Sequence, residues 1–114
     1  MVIVLVQNNK KDLKRLKSCV SAAFPKDLVV GFDNPDHAVS FADTRRVDMC
    51  YADVVMDRTT GFQLTKDLRS RNANVVVNLL ADNTSYAIDA WKYHVNDYIL
   101  KPISMESVLH SAIA

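Results

Sequence analysis

Asp53 and Lys101 are the two residues of this 114-residue chain best placed to do chemistry. Asp53 closes the run Asp48-Met49-Cys50-Tyr51-Ala52-Asp53, a buried-strand pattern that delivers a carboxylate at the strand's C-terminal end. Lys101 follows a second short apolar run in Asp97-Tyr98-Ile99-Leu100-Lys101-Pro102. In an open parallel α/β sheet, ligands and reacting groups collect at the carboxyl ends of the strands. The carboxylate and the ammonium are therefore expected in one site. The other strand ends that would feed it carry Gln7-Asn8 and Leu80, which add neither a carboxylate nor a hydroxyl. Whether such a site still reacts is the question the sequence raises.

The elements that must hold these residues follow from the apolar pattern. Val2 to Val6 is an unbroken apolar run, as expected for a strand covered on both faces. Leu13, Leu16, Val20, Ala23 and Phe24 then recur at helical spacing, with Lys10, Lys11, Lys14, Arg15 and Lys17 mostly off that stripe and Asn8 or Asn9 available as cap. Leu28 to Phe32 is a second strand. Asn34-Pro35 starts a second helix, with Ala38, Phe41 and Ala42 facing inward. Met49 to Asp53 is the third strand, and a loop through Gly61 leads to a helix of Phe62, Leu64 and Leu68 that ends near Asn72.

Val75 to Leu80 is the expected fourth strand, with Asn78 as a polar insert. A helix from Thr84 to His94 is expected to turn Ala87, Ala90 and Trp91 inward. Tyr98 to Leu100 makes the fifth strand, and Ser104 caps a last helix through Val108, Ala112 and Ile113. Five alternating strand–helix pairs imply one α/β domain.

Composition narrows the function. The chain is 49% hydrophobic with a formal net charge of +1, which argues for a globular fold and against autonomous nucleic-acid binding. Cys19 and Cys50 fall in apolar segments and read as small buried hydrophobes. No signal peptide or long apolar span is present, so a cytoplasmic protein without membrane contact is expected.

Together these residues resemble the receiver domain of two-component response regulators, a single-domain, five-stranded, flavodoxin-like parallel sheet with flanking helices. The placement of Asp53, Gly61 after the loop and the Lys101-Pro102 pair carry the resemblance, which spans residues 1–114. The segments Ser85-Tyr86-Ala87-Ile88-Asp89-Ala90-Trp91 and Asp97 to Ser104 look most like receivers joined to a LytTR-type DNA-binding domain. The resemblance implies that Asp53 stands where the phosphoacceptor stands, that Lys101 pairs with the phosphoryl oxygens, and that Tyr98 is the switching aromatic. It also implies a cis peptide at Lys101-Pro102.

The departures are specific. An acidic pair that would hold Mg²⁺ falls on Gln7 and Asn8, and the hydroxyl that would bond the phosphoryl group falls on Leu80. Met56-Asp57 replaces a Met-Pro, and His94 replaces a small residue. Mg²⁺ favours carboxylate oxygens in a tight octahedron, and phosphoryl transfer needs that charge neutralisation. No cofactor is expected. Asp57 as a replacement ligand is the minor alternative. Asp53 and Lys101 then form a structural ion pair in which each favours the other's charged form.

The remaining residues have ordinary readings. Tyr98 is expected to pack as a strand residue with a wet hydroxyl, and His37, His94 and His110 to lie on helix surfaces. Asp57 and Arg58 read as a solvated loop pair, and Gly31 and Gly61 belong to no phosphate-binding loop. The expectation is a non-enzymatic, phosphorylation-independent pseudo-receiver at the N-terminus of a longer transcription regulator. It would form a homodimer through the face from the fourth helix to the last (Ala87 to Ile113), and reach DNA only through a further C-terminal domain. A working phosphorelay receiver served by a histidine kinase is the first alternative, and a small-ligand sensor at the carboxyl-edge crevice the second.

Overall fold

Along the chain run β1 (Val2–Val6), α1 (Lys10–Ala23), β2 (Leu28–Phe32), α2 (Pro35–Thr44), β3 (Met49–Asp53), α3 (Gly61–Arg71), β4 (Val76–Ala81), α4 (Ala87–Lys92), β5 (Asp97–Leu100) and α5 (Met105–Ile113). The structure is a computed structural model and describes residues 1–113. All strands pair in parallel in the order β2-β1-β3-β4-β5. β3, which carries Asp53, is the central strand.

The continuous apolar runs are explained by burial on both faces. Val4, Val6, Cys50, Ala52, Val77 and Leu79 pack on Ala38, Leu64, Leu68 and Ala90 from α2, α3 and α4. Ile3, Leu5, Tyr51, Leu80 and Ile99 pack on Leu16, Val20 and Val108 from α1 and α5. Burial pushes the Cys50 thiol up to about 12, in keeping with an inert packing role.

Short polar side chains start the helices. Asn9 Oδ1 accepts from the Asp12 N–H at 3.0 Å, Asn34 Oδ1 from Asp36 at 2.8 Å and Thr60 Oγ1 from Gln63 at 3.2 Å. Ser104 and Ser107 cap α5 reciprocally, each hydroxyl accepting from the other's backbone N–H.

Three expectations are corrected. β4 is displaced by one residue, because the Val75 N–H closes a turn onto the Asn72 carbonyl. α4 is only Ala87–Lys92: Asn83 Oδ1 holds the Ser85 N–H in a turn, and His94, with φ of 56°, stops the helix. Trp91 points outward at 77% exposed, since in so short a helix Ala90 alone fills the contact with the sheet. On α5, Val108 and Ser111 form the inner stripe, and Ala112 and Ile113 face out.

Ser111 turns inward to meet a polar cluster. Tyr51 Oη lies 2.6 Å from Ser111 Oγ, which in turn donates to the Val108 carbonyl. Asn96 Nδ2 donates to Asn78 Oδ1 at 2.8 Å and to the Ser111 carbonyl at 2.9 Å. The polar insert at Asn78 is therefore a strut between β4 and the segment before β5. The Lys101–Pro102 peptide is cis, as expected.

Candidate functional site

Asp53 closes β3 beside Leu80 of β4, its direct partner in register. Alternation along β3 turns Asp53 to the same face as Tyr51, towards α1 and α5. Lys101, just past β5, reaches across so that its Nζ lies 3.0 Å from Asp53 Oδ1. From β1's end, Gln7 Nε2 donates to that same oxygen at 2.9 Å. Oδ1 thus holds two donors, while Oδ2 has no hydrogen bond among the described residues. A cavity of about 140 Å³ lies over the group, lined by Asp53, Val55, Leu80, Asp82, Tyr86 and Lys101.

Gly61 completes the geometry. A Cβ there would stand 2.6 Å from the Asp53 carbonyl oxygen and 2.9 Å from Leu79 Cδ2. Only glycine lets the start of α3 come this close to the end of β3, where the Gly61 N–H donates to the Val54 carbonyl at 2.8 Å.

Of the residues read as one site, Asp53, Lys101, Gln7 and Leu80 come together. Asn8 does not join them: its Nδ2 donates to the Asp33 carbonyl and its Oδ1 accepts from the Asp57 N–H, so it ties two loops together. Tyr98 stands one link away. Its hydroxyl is not left to water but donates to the Asn83 carbonyl at 2.6 Å, on the rim of the cavity. Asp57 and Arg58 are both exposed.

The charge balance differs from the simple expectation of mutual stabilisation. Burial raises the Asp53 carboxyl above its usual range, and pairing with Lys101 recovers only part of that cost. Asp12 and Asp82 push in the same direction as burial. Neither acid figured in the sequence reading. The available signals were the position of Asp82 just past β4 and of Asp12 in the first turn of α1.

The fold family implies Mg²⁺ beside the phosphoacceptor, and the donors present do not fit it. Of the three positions expected to hold the metal, Asp53, Gln7 and Asn8, Asp53 alone carries a carboxylate, and its Oδ1 already carries an ammonium and an amide N–H. Gln7 is wholly buried with Oε1 unpartnered, yet turning that oxygen towards Asp53 would set it against the carboxylate. Asn8 spends its amide oxygen on Asp57. No cluster of three or more His, Cys, Asp or Glu suited to a metal exists among the described residues.

Comparison with known proteins agrees with this architecture. The family model described as the response regulator receiver domain matches residues 3–114. Transcriptional regulatory protein NatR of Bacillus subtilis is 29% identical over 98 residues, covering 86% of this chain and 42% of the relative. Transcriptional regulatory protein BtsR of Salmonella typhi is 32% identical over 111 residues, 95% of this chain and 46% of the relative. The chain thus spans less than half the length of these curated relatives. Among solved structures, the Vibrio cholerae chemotaxis protein CheY4 superposes with a TM-score of 0.86 at 20% identity, covering 98% of this chain and 95% of that one. The response regulatory domain of mrkE from Klebsiella pneumoniae gives 0.85 at 18% identity, covering 97% and 91%.

Proposed function

Because this chain belongs to the response regulator receiver domain family, we propose that it is a pseudo-receiver, a regulatory module that works without phosphorylation and without Mg²⁺. The observation that carries this reading is the occupancy of Asp53 Oδ1 by both Lys101 Nζ and Gln7 Nε2. An internal cation and an amide stand where a phosphoacceptor needs an exchangeable metal. Leu80, wholly buried, fills the position from which a hydroxyl would bond the phosphoryl group. The domain is a binding module and not an enzyme.

The output surface is the face of α4, β5 and α5. Ile88, Trp91, Leu100, Leu109 and Ile113 are all large, apolar and exposed, and a two-fold contact through them would pair two copies. The names of the curated relatives support a transcription regulator, and the chain's covering less than half of their length accords with a further part, which would bind DNA. The Ser85–Trp91 and Asp97–Ser104 segments favour the LytTR type. A cytoplasmic location accords with this reading, and no helix among the described residues is long and apolar enough to cross a membrane.

The test is to incubate the domain with Mg²⁺ and acetyl phosphate and weigh it intact. An unmodified mass supports the proposal. An adduct that disappears in Asp53→Asn overturns it and favours the second reading, a phosphoacceptor served by a histidine kinase. One observation supports that reading: Asp53 Oδ2 remains without a donor beside the cavity. A thermal shift with a small metabolite but not with Mg²⁺ would instead point to a ligand sensor in that cavity.

A further inference from the structure

The net charge of +1 conceals a strong segregation. Five of the fourteen Lys and Arg residues but only one of the thirteen acids lie on α1, so the helix carries +4 and the rest of the chain −3. Leu16 and Val20 turn inward, whereas Lys10, Lys11, Lys14, Arg15 and Lys17 are all exposed on the outer arc. Ser18 and Ala22 share that arc, and no acid interrupts it.

This placement works against the helix itself. Lys10 and Lys11 sit in the first turn, where the helix dipole disfavours cations. Lys10 with Lys14 and Lys11 with Arg15 are like charges at i,i+4, and Lys14 with Lys17 at i,i+3, each pair unfavourable. Among the described residues the only ion pair on this face is Lys10 with Asp33, at a loose 3.9 Å. An unfavourable arrangement of this kind is relieved by an external polyanion.

We propose that the outer face of α1 binds the phosphate backbone of duplex DNA without regard to sequence. The face has no aromatic or large aliphatic residue, and protein–protein contacts draw their affinity from such anchors. Backbone phosphate contacts need only Lys, Arg and hydroxyl donors. The helix is about 21 Å long at 1.5 Å per residue, enough to follow several phosphates. The inference rests on the proposed transcription-regulator reading only in supposing that DNA is nearby. The contact itself is measurable on this domain alone.

Fluorescence anisotropy of a labelled 20-base-pair duplex of arbitrary sequence, titrated with the domain from 20 to 200 mM salt, tests it. Each phosphate neutralised adds about −0.9 to the slope of log K against log salt, so three or more contacts give a slope steeper than about −2.5. The variant Lys10→Gln/Lys14→Gln/Lys17→Gln keeps good helix formers, and its fold is checked by circular dichroism. It should lose at least tenfold in affinity at 20 mM salt and most of the slope. Arg58→Gln/Lys66→Gln/Lys92→Gln makes the same charge change elsewhere and should retain both. Absence of binding at 20 mM salt, equal losses in the two variants, or binding to poly-glutamate or anionic vesicles but not to duplex would each overturn the proposal. A phosphoryl adduct on Asp53 would overturn only the pseudo-receiver reading.

Discussion

Lys101 Nζ stands 3.0 Å from Asp53 Oδ1, and the two residues depend on each other unequally. Asp53 is 8% exposed and its carboxyl is raised by burial despite the ammonium beside it. Removing the lysine strands an acid. Removing the acid leaves a lysine that still reaches solvent.

Lys101→Ala should therefore destabilise the domain. Breaking a fully buried pair costs about 3–5 kcal/mol. The Lys101 side chain is 22% exposed, so about 1–3 kcal/mol is expected here. At about 4 °C per kcal/mol for a domain of this size, the melting temperature should fall by about 4–12 °C. An unchanged melting temperature would refute the structural ion pair.

Asp53→Asn should behave in the opposite sense at neutral pH. Because folding raises this carboxyl, the native state binds the proton more tightly than the unfolded chain does. Its cost to stability is absent below the ordinary value of 3.8 and grows as pH rises through the raised native value. The asparagine variant should match the parent at low pH and equal or exceed it above that window. Urea melts across pH check this, and a variant that grows relatively weaker with rising pH would contradict it.

On the pseudo-receiver proposal, supplying an acidic pair and a hydroxyl should make Asp53 a phosphoacceptor. Gln7→Asp/Asn8→Asp/Leu80→Thr supplies two carboxylates and a hydroxyl around Asp53. With Mg²⁺ and acetyl phosphate this variant should acquire an adduct in the intact mass spectrum, and adding Asp53→Asn should abolish it. If the triple variant folds yet stays unmodified, Gln7, Asn8 and Leu80 do not account for the proposed lack of phosphorylation.

The Tyr51–Ser111 bond offers a paired test of the polar cluster. Ser111→Ala leaves a buried phenol without its partner, at a cost of about 1–3 kcal/mol. Tyr51→Phe removes the hydroxyl but leaves Ser111 donating to the Val108 carbonyl, so about 0.5–1.5 kcal/mol is expected. Chemical denaturation should rank the serine variant as the weaker.

Ile88→Glu/Trp91→Glu should abolish self-association in light scattering with little change in melting temperature, because both side chains are more than 70% exposed. A monomeric parent would remove the basis for the proposed surface.

Much of this was legible because it is local. Asn34-Pro35 announces a helix start through backbone geometry alone, and an unbroken run such as Val2 to Val6 announces a doubly covered strand. Convergence of Asp53, Lys101, Gln7 and Leu80 follows from the rule that parallel strands share a carboxyl edge. Three features were not legible, two of them set by partners distant in sequence and one by local turns that no periodicity announces. Trp91 faces outward because the turn at Asn83 and the stop at His94 shorten α4. Asn8 leaves the site because the Asp57 N–H captures it from 49 residues away. The rise in the Asp53 carboxyl reflects burial and the field of Asp12 and Asp82, which no spacing rule encodes.

The position of Asp53 on β3 has a dynamic consequence. All five residues of that strand are buried, and neighbours on both sides hold its ladder. Amides of such a strand exchange with deuterium only when the whole domain opens. Hydrogen exchange at Tyr51 and Asp53 should then report the global unfolding free energy, and the carboxylate should keep its geometry until the molecule melts. A group mounted on the least yielding part of the fold is suited to bearing load and poorly suited to moving.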